Sequence, residues 1–169
     1  MEPKPMRRLP QFPYTGPYRY SLTFCTERRA PLLRNPGLVD CVCAQILRAA
    51  TLTGYAVVVY CAMPDHMHLL ADGRNSGARL PGFVQRAKQL SGYYGQGLIG
   101  RSFWQVGYHE RVLRPSEDIR ESVRYIVNNP VRAGLAAAPV AYPFIGSGMY
   151  SRDELFDYIQ VSDGRTRPS

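Results

Sequence analysis

Acidic residues, histidines and paired cysteines are all scarce in this sequence. Only 13 Asp and Glu stand against 21 Lys and Arg, which leaves a formal net charge of +8. That imbalance disfavours a cationic ligand and favours a polyanionic partner, nucleic acid first. The four cysteines (Cys25, Cys41, Cys43 and Cys61) form no CxxC pair and sit inside apolar stretches. They suit buried thiols in a reducing cytoplasm better than a disulfide or zinc framework. No apolar run approaches the ~18 residues of a membrane span, so no membrane contact is expected. The opening stretch MEPKPMRRLPQFPYTGP is basic and Pro-rich and lacks the apolar segment of a secretory signal. Internal repeats and low-complexity tracts are absent. What is present is a chain of 169 residues, 45% hydrophobic, enough for one domain with a buried core and too apolar for global disorder.

The periodicity predicts its elements. Residues 1–17 are expected to be a loose, flexible basic arm. From Tyr18 to Thr26 the residues alternate, with Tyr18, Tyr20, Leu22 and Phe24 on one face of a strand. Leu38, Val42, Ile46 and Ala50 recur at helical spacing and stop near Gly54. Tyr55–Met63 is β-branched, aromatic and almost wholly apolar, as a central strand should be. Pro64-Asp65 turns the chain into a second strand, His66–Ala71, and a helix is expected over Arg79–Tyr94. A fourth strand is expected over Phe103–Leu113. A helix capped by Ser116 then runs to Asn129 and is stopped by Pro130. The order β-α-β-β-α-β predicts an α+β, ferredoxin-like split βαβ sandwich with an added C-terminal helix. Residues 18–135 are expected to form this unit and 136–169 a tail with a mobile end.

Two constellations carry chemistry. His66 and His68 flank Met67 on a strand, so both imidazoles point from one face. Such a pair can hold a divalent ion with positions left open for a substrate oxygen, or it can be two hydrogen-bonded strand histidines. On the last helix, Ile119, Val123, Ile126 and Val127 form the buried stripe, and Tyr125 falls away from it. Glu121, Tyr125 and Asn129 lie one turn apart and share a face. Tyr125 is then either a surface tyrosine covering a neighbouring element or a functional phenol. A phenol of pKa ~10 becomes a useful nucleophile when a metal polarises its electrophile. An ion on His66 and His68, with Asn129 as a third ligand, would clamp a scissile phosphate beside Tyr125.

The residues MPDHMHLL resemble the HUH motif of single-tyrosine transposases. SVRYIVNNPVRAGL resembles the signature around the tyrosine of the REP-associated tyrosine transposases, and FWQVGYHERVLR resembles the strand that precedes it. The three fall in that family's order, and the resemblance spans roughly Tyr18 to Leu135. It implies a ferredoxin-like fold and an enzyme that cleaves and rejoins single-stranded DNA beside hairpin repeats through a 5'-phosphotyrosine, using Mg²⁺ or Mn²⁺. His66, His68 and Asn129 match the metal ligands and Tyr125 the nucleophile. Asp65 stands where the family more often has Asn. No organic cofactor is implied. The resemblance also implies a cytoplasmic, nucleoid-associated bacterial protein, monomer or homodimer. A hairpin-DNA-binding protein on the same fold, without cleavage, is the other reading.

Around this core, Glu121, His109, Arg111, Arg124, Arg132 and Trp104 are candidates for the site or for DNA contact. Arg7, Arg8, Arg86, Lys88, Arg101 and Arg114 are further candidate phosphate contacts, and only a cluster of such charges carries affinity. Tyr93, Tyr94, Trp104 and Tyr108 are candidate stacking rings for unpaired bases.

Overall fold

Tyr20, Leu22 and Phe24 alternate along β1 (Arg19–Cys25), and all three are fully buried. The computed structural model describes residues 8–160. Helix α1 (Pro36–Thr53) begins where the Asn35 side chain accepts from the backbone N–H groups of Gly37 and Leu38. It ends at Gly54, whose φ of 77° lies in the left-handed region that a glycine enters without a Cβ clash. Strands β2 (Tyr55–Met63) and β3 (His66–Gly73) follow as a hairpin, then helix α2 (Leu80–Ile99) and strand β4 (His109–Val112). Helix α3 (Ile119–Val127), a short turn α4 (Asn129–Arg132), strand β5 (Ile145–Gly146) and helix α5 (Arg152–Gln160) complete the strands and α-helices of the described residues.

The strands form one antiparallel sheet in the order β4-β1-β3-β2-β5. Its first four positions are the ferredoxin-like arrangement that the element order predicts. One face carries Tyr20, Leu22, Phe24, Met67 and Leu69 against Val42, Ile46 and Phe83 of α1 and α2. The opposite face carries Val59, Cys61, Met63 and Leu70 against Val123, Ile126 and Val127 of α3 and Leu155 and Phe156 of α5. A register shift between Val57 and Val59 moves β2 from one alternation to the other. Both faces are therefore covered, which is why β2 is apolar throughout rather than alternating.

Several expected boundaries move, each for a physical reason. Helix α2 runs past Tyr94 to Ile99, where Gly100 caps it at φ 72°, and Gly95 in the added turn lets the Phe103 ring close in: a Cβ there would sit 2.5 Å from Phe103 Cδ2. Phe103 and Trp104 are consequently core residues rather than strand, with Trp104 making a single bridge to Thr26, and β4 keeps only His109–Val112. Asp118, not Ser116, caps α3 by accepting from Arg120 N–H. That helix ends at Val127, and Pro130 sits in the first turn of α4, where its missing N–H costs nothing.

The two ends differ more. Residues 1–7 and 161–169 lie outside the described residues, and with them Arg7 and the expected mobile end. The rest of the expected arm is packed: Phe12 and Tyr14 lie against the core, and Thr15 bridges Arg79. The expected tail supplies β5 and α5, with Tyr142, Ile145, Leu155 and Phe156 all buried. Each segment is too short in apolar periodicity to announce itself, and each is ordered by the sheet it covers. No helix among the described residues is long and apolar enough to cross a membrane.

Candidate active site

The alternation of β3 puts His66 and His68 on the same face as Leu70, the face covered by α3 and α5. Their Nε2 atoms converge to 3.1 Å. Each ring is oriented from behind. His66 Nδ1–H donates to Asp65 Oδ1 at 2.7 Å, and Asp65 Oδ2 accepts from Arg29 Nε at 3.0 Å. His68 Nδ1 lies 3.2 Å from Thr23 Oγ1. Because a carboxylate only accepts, the Asp65 contact fixes the His66 tautomer and leaves Nε2 as a lone pair aimed at its neighbour.

Burial pushes the His66 imidazole below its ordinary range, against the pull of Asp65. Burial pushes His68 down to about 3, helped by the charges of His66, Arg132 and Arg29. Both rings are therefore neutral, the form that ligates a metal. For Asp65, burial works upward, but the His66 hydrogen bond and the charges of His66 and Arg29 prevail and lower it.

Helix α3 presents Val123, Ile126 and Val127 to the sheet and leaves Tyr125 63% exposed, off the buried stripe as the spacing predicts. Arg132 returns from α4 to lie over this ring, its guanidinium carbon 4.1 Å from the centroid. The same guanidinium donates to the Tyr125 carbonyl at 2.7 Å and to Asn129 Oδ1 at 2.8 Å. Asn129 Nδ2 is buried with no hydrogen-bond partner. The contacts thus make two groups: Asp65, His66, His68, Thr23 and Arg29; and Tyr125, Asn129 and Arg132. Arg132 links them electrostatically, since its charge acts on His68. Among the described residues no hydrogen bond joins the Tyr125 hydroxyl to either imidazole.

Two neutral imidazole nitrogens facing each other at 3.1 Å fit a divalent cation, whose adjacent ligand atoms stand ~3 Å apart for bonds of ~2.1 Å. Among the described residues no group of three or more His, Cys, Asp or Glu side chains is assembled for a metal. Any third protein ligand would be of another kind; an amide oxygen such as Asn129 Oδ1, which keeps one lone pair beyond its bond to Arg132, has suitable chemistry.

The histidine pair thus lies on the central strand β3, and Tyr125 faces solvent on the helix that follows β4. The IS200-like transposase family model matches residues 16–129, two thirds of the chain. The chain belongs to that family. It is 24% identical over 119 residues to the REP-associated tyrosine transposase of Escherichia coli (strain K12), covering 65% of this chain and 68% of that one. The fold is similar to the structure of a REP-associated tyrosine transposase bound to a REP hairpin. That match has a TM-score of 0.68 and 20% identity, over 83% of this chain and 82% of the other. It is also similar to a candidate transposase from Deinococcus radiodurans R1, with a TM-score of 0.50 and 23% identity, over 73% of this chain and 97% of that one.

The remaining candidates of this family member divide sharply. His109 joins the histidine face: the register His109–Thr23–His68 sets it two strands from His68, and its Nδ1 is buried without a hydrogen-bond partner. Glu121 is exposed on α3. Arg111 is held by both oxygens of Glu117, at 2.7 and 3.0 Å. Arg124 donates twice to the Ile159 carbonyl and so fastens α5 rather than reaching the histidines. Trp104 is a core residue whose Nε1–H donates to Ser91 Oγ, which removes it as a stacking ring. Lys88 is spent on the Gln105 and Gly107 carbonyls, which corrects its reading as a phosphate contact. Tyr93 and Tyr94 remain exposed on α2. Sequence reasoning missed Thr23 and Arg29. The alternation of β1 could have placed Thr23 on the histidine face, but no local signal points from Arg29 to Asp65.

Proposed function

We propose that the chain cleaves and rejoins single-stranded DNA at or near a hairpin, with Tyr125 as nucleophile. The observation that carries this is the convergence of two neutral imidazoles on the sheet face packed by the helix that presents Tyr125 to solvent. In the cleavage step the Tyr125 phenolic oxygen attacks phosphorus. A P–O bond to tyrosine forms, the P–O3' bond breaks, and the phenolic proton is transferred away while the leaving 3'-oxygen is protonated. The 5'-phosphate stays on Tyr125, and attack by a 3'-hydroxyl reverses the step, so rejoining needs no nucleotide cofactor. Mg²⁺ or Mn²⁺, held by His66, His68 and Asn129, would supply Lewis-acid polarisation of the scissile phosphate. Asp65 and Thr23 orient the two imidazoles, and Arg132 holds Tyr125 and Asn129 in one arrangement. A similar fold occurs in a transposase bound to a REP hairpin, which supports hairpin DNA as the partner class.

The test incubates the protein and Mn²⁺ with hairpin DNA that carries a labelled single-stranded tail, followed by denaturing electrophoresis. Wild type is expected to give a covalent protein–DNA adduct, and Tyr125→Phe to bind the DNA without forming one. Binding without an adduct in wild type would favour the DNA-binding reading. An adduct in Tyr125→Phe would remove Tyr125 as the nucleophile.

A further inference from the structure

The sheet face that carries His66 and His68 is apolar over only half its width. Its apolar cluster takes in Val59, Cys61 and Met63 of β2 and Leu70 of β3, and among the described residues none of β1 or β4. On those two strands the same face is polar. The register sets Ser21 and Arg111 in line with Leu70, and Thr23 and His109 in line with His68. Ser21, Thr23 and His109 are half-buried and Arg111 is exposed. A sheet face that packs against helices is apolar, so this strip is instead the floor of a polar groove.

Helix α3 is the wall of that groove. The Arg120 guanidinium lies 5.1 Å from the Tyr158 ring centroid, and Arg124 donates to the Ile159 carbonyl, so α5 holds one flank of α3. That flank is the one toward β5, whose Ile145 carbonyl accepts from Arg152 of α5. At about 100° per residue, Ser122 and Tyr125 fall on the other flank, beside the β1–β4 half.

Two of the floor's groups are engaged: Thr23 Oγ1 lies 3.2 Å from His68 Nδ1, and Arg111 donates to both Glu117 oxygens. His109 is not. Its Nδ1 is buried without a partner, whereas its Nε2 is not enclosed and has no hydrogen bond among the described residues. An orphaned buried N–H is rarer than an under-used buried acceptor. In the neutral ring the hydrogen therefore sits on Nε2, which meets the groove as a donor.

We propose that this groove carries the single strand past the histidine pair, and that His109 Nε2–H donates to the phosphate next to the scissile one. Two strand spacings separate His109 from His68, roughly 10 Å between their backbones, so both side chains reach one short stretch of DNA. A phosphate oxygen accepts from a single N–H, whereas reading a base edge takes a matched set of donors and acceptors. The contact is thus independent of sequence. The inference rests on the DNA-cleaving reading above and adds a binding residue that none of its steps uses.

The experiment is fluorescence anisotropy at fixed salt, with Mn²⁺ and full-length Tyr125→Phe protein, so that binding is read without cleavage. The probe is hairpin DNA whose single-stranded tail linkages are replaced one at a time by uncharged methylphosphonate. A linkage beside the one that wild type cleaves is expected to weaken binding roughly tenfold when neutralised, the worth of a hydrogen bond to a charged group. Adding His109→Ala should weaken unmodified DNA by that factor and abolish the effect of that linkage alone. His109→Gln, whose amide N–H replaces Nε2–H, should restore the effect, and His109→Asn, whose amide sits at the Nδ1 position, should not. These two variants decide the matter should His109→Ala fail to fold. The proposal is overturned if no linkage loses its effect in the His109 variants, or if they weaken every DNA alike, as a structural role would. A coupled linkage with no adduct in wild type would remove the cleavage reading and leave the His109 contact. An adduct with no coupled linkage would remove only the contact, and failure to bind any DNA would remove both.

Discussion

Arg132 covers the ring of Tyr125 at 4.1 Å and donates to that residue's carbonyl at 2.7 Å, so one side chain fixes both the phenol and the last turn of its helix. Its third contact, with Asn129 Oδ1, ties in the amide four residues on. Both hydrogen bonds come from one nitrogen, Nη2, of a planar guanidinium that lies over the ring, a geometry that the non-planar, more strongly hydrated ammonium of lysine reproduces poorly. Arg132→Ala is therefore expected to lower adduct formation at least tenfold, with Arg132→Lys failing to restore it. Stability should fall by only ~1 kcal/mol, because the residue is exposed and its structural contact is a helix-end carbonyl. Single-turnover cleavage beside a thermal melt separates the two effects.

Metal binding provides a second check. Titration calorimetry with Mn²⁺ is expected to show one site in wild type and none in the His66→Ala, His68→Ala double variant, with circular dichroism unchanged. Excess EDTA should abolish the adduct. Full cleavage in EDTA would contradict the metal role.

Asp65 acts on His66 through one hydrogen bond, so its replacement should grade with hydrogen-bonding ability. Asp65→Asn keeps an acceptor for His66 Nδ1–H and is expected to retain Mn²⁺ affinity within a few fold. Asp65→Ala removes it, and losses of ~10–100-fold are typical when such an orienting partner is deleted.

The cysteines give a pH prediction. Burial pushes the thiols of Cys43 and Cys61 up to about 12, with Asp40 reinforcing Cys43 and Arg132 opposing at Cys61. Both should resist Ellman's reagent near neutral pH in the native protein and react on unfolding. The folded state holds these protons more tightly than the unfolded chain does. Stability is therefore whole below the unfolded thiol pKa of 9.0 and declines as pH rises from there toward 12. Urea melts across that alkaline window measure the decline. Cys43→Ala should lessen it without removing it, because burial also raises Tyr55, Tyr60, Tyr108 and Tyr142 to about 12 and these titrate in the same window.

The segment after Pro139 is expected to be part of the structural unit. Leu155 is fully buried against the α3 face of the sheet, so Leu155→Ala should cost ~2–5 kcal/mol. Removing the Tyr142 hydroxyl, which donates to the Ala62 carbonyl, should cost ~1 kcal/mol. A loss of Tm in both variants, larger for Leu155→Ala, checks this.

Much of this protein is local and was legible without coordinates. Alternation in β1 and β3, the helical spacing of α1 and α3, and the apolar β2 led directly to a ferredoxin-like sheet. The same periods put both imidazoles on one face and turned Tyr125 away from the core. These are properties of a strand's period of two and a helix's period of 3.6, which act over a few residues. What connects distant segments belongs to the tertiary structure alone. Arg29 reaches Asp65, Arg132 reaches back to Tyr125, and the register His109–Thr23–His68 aligns three strands. Only packing could show that Trp104 and Lys88 are structural. The two ends follow the same rule. Phe12 and Tyr14 before the sheet, and Leu155 and Phe156 after it, have weak patterns of their own; the first pair packs against the core and the second joins it only because the sheet leaves apolar surface to cover.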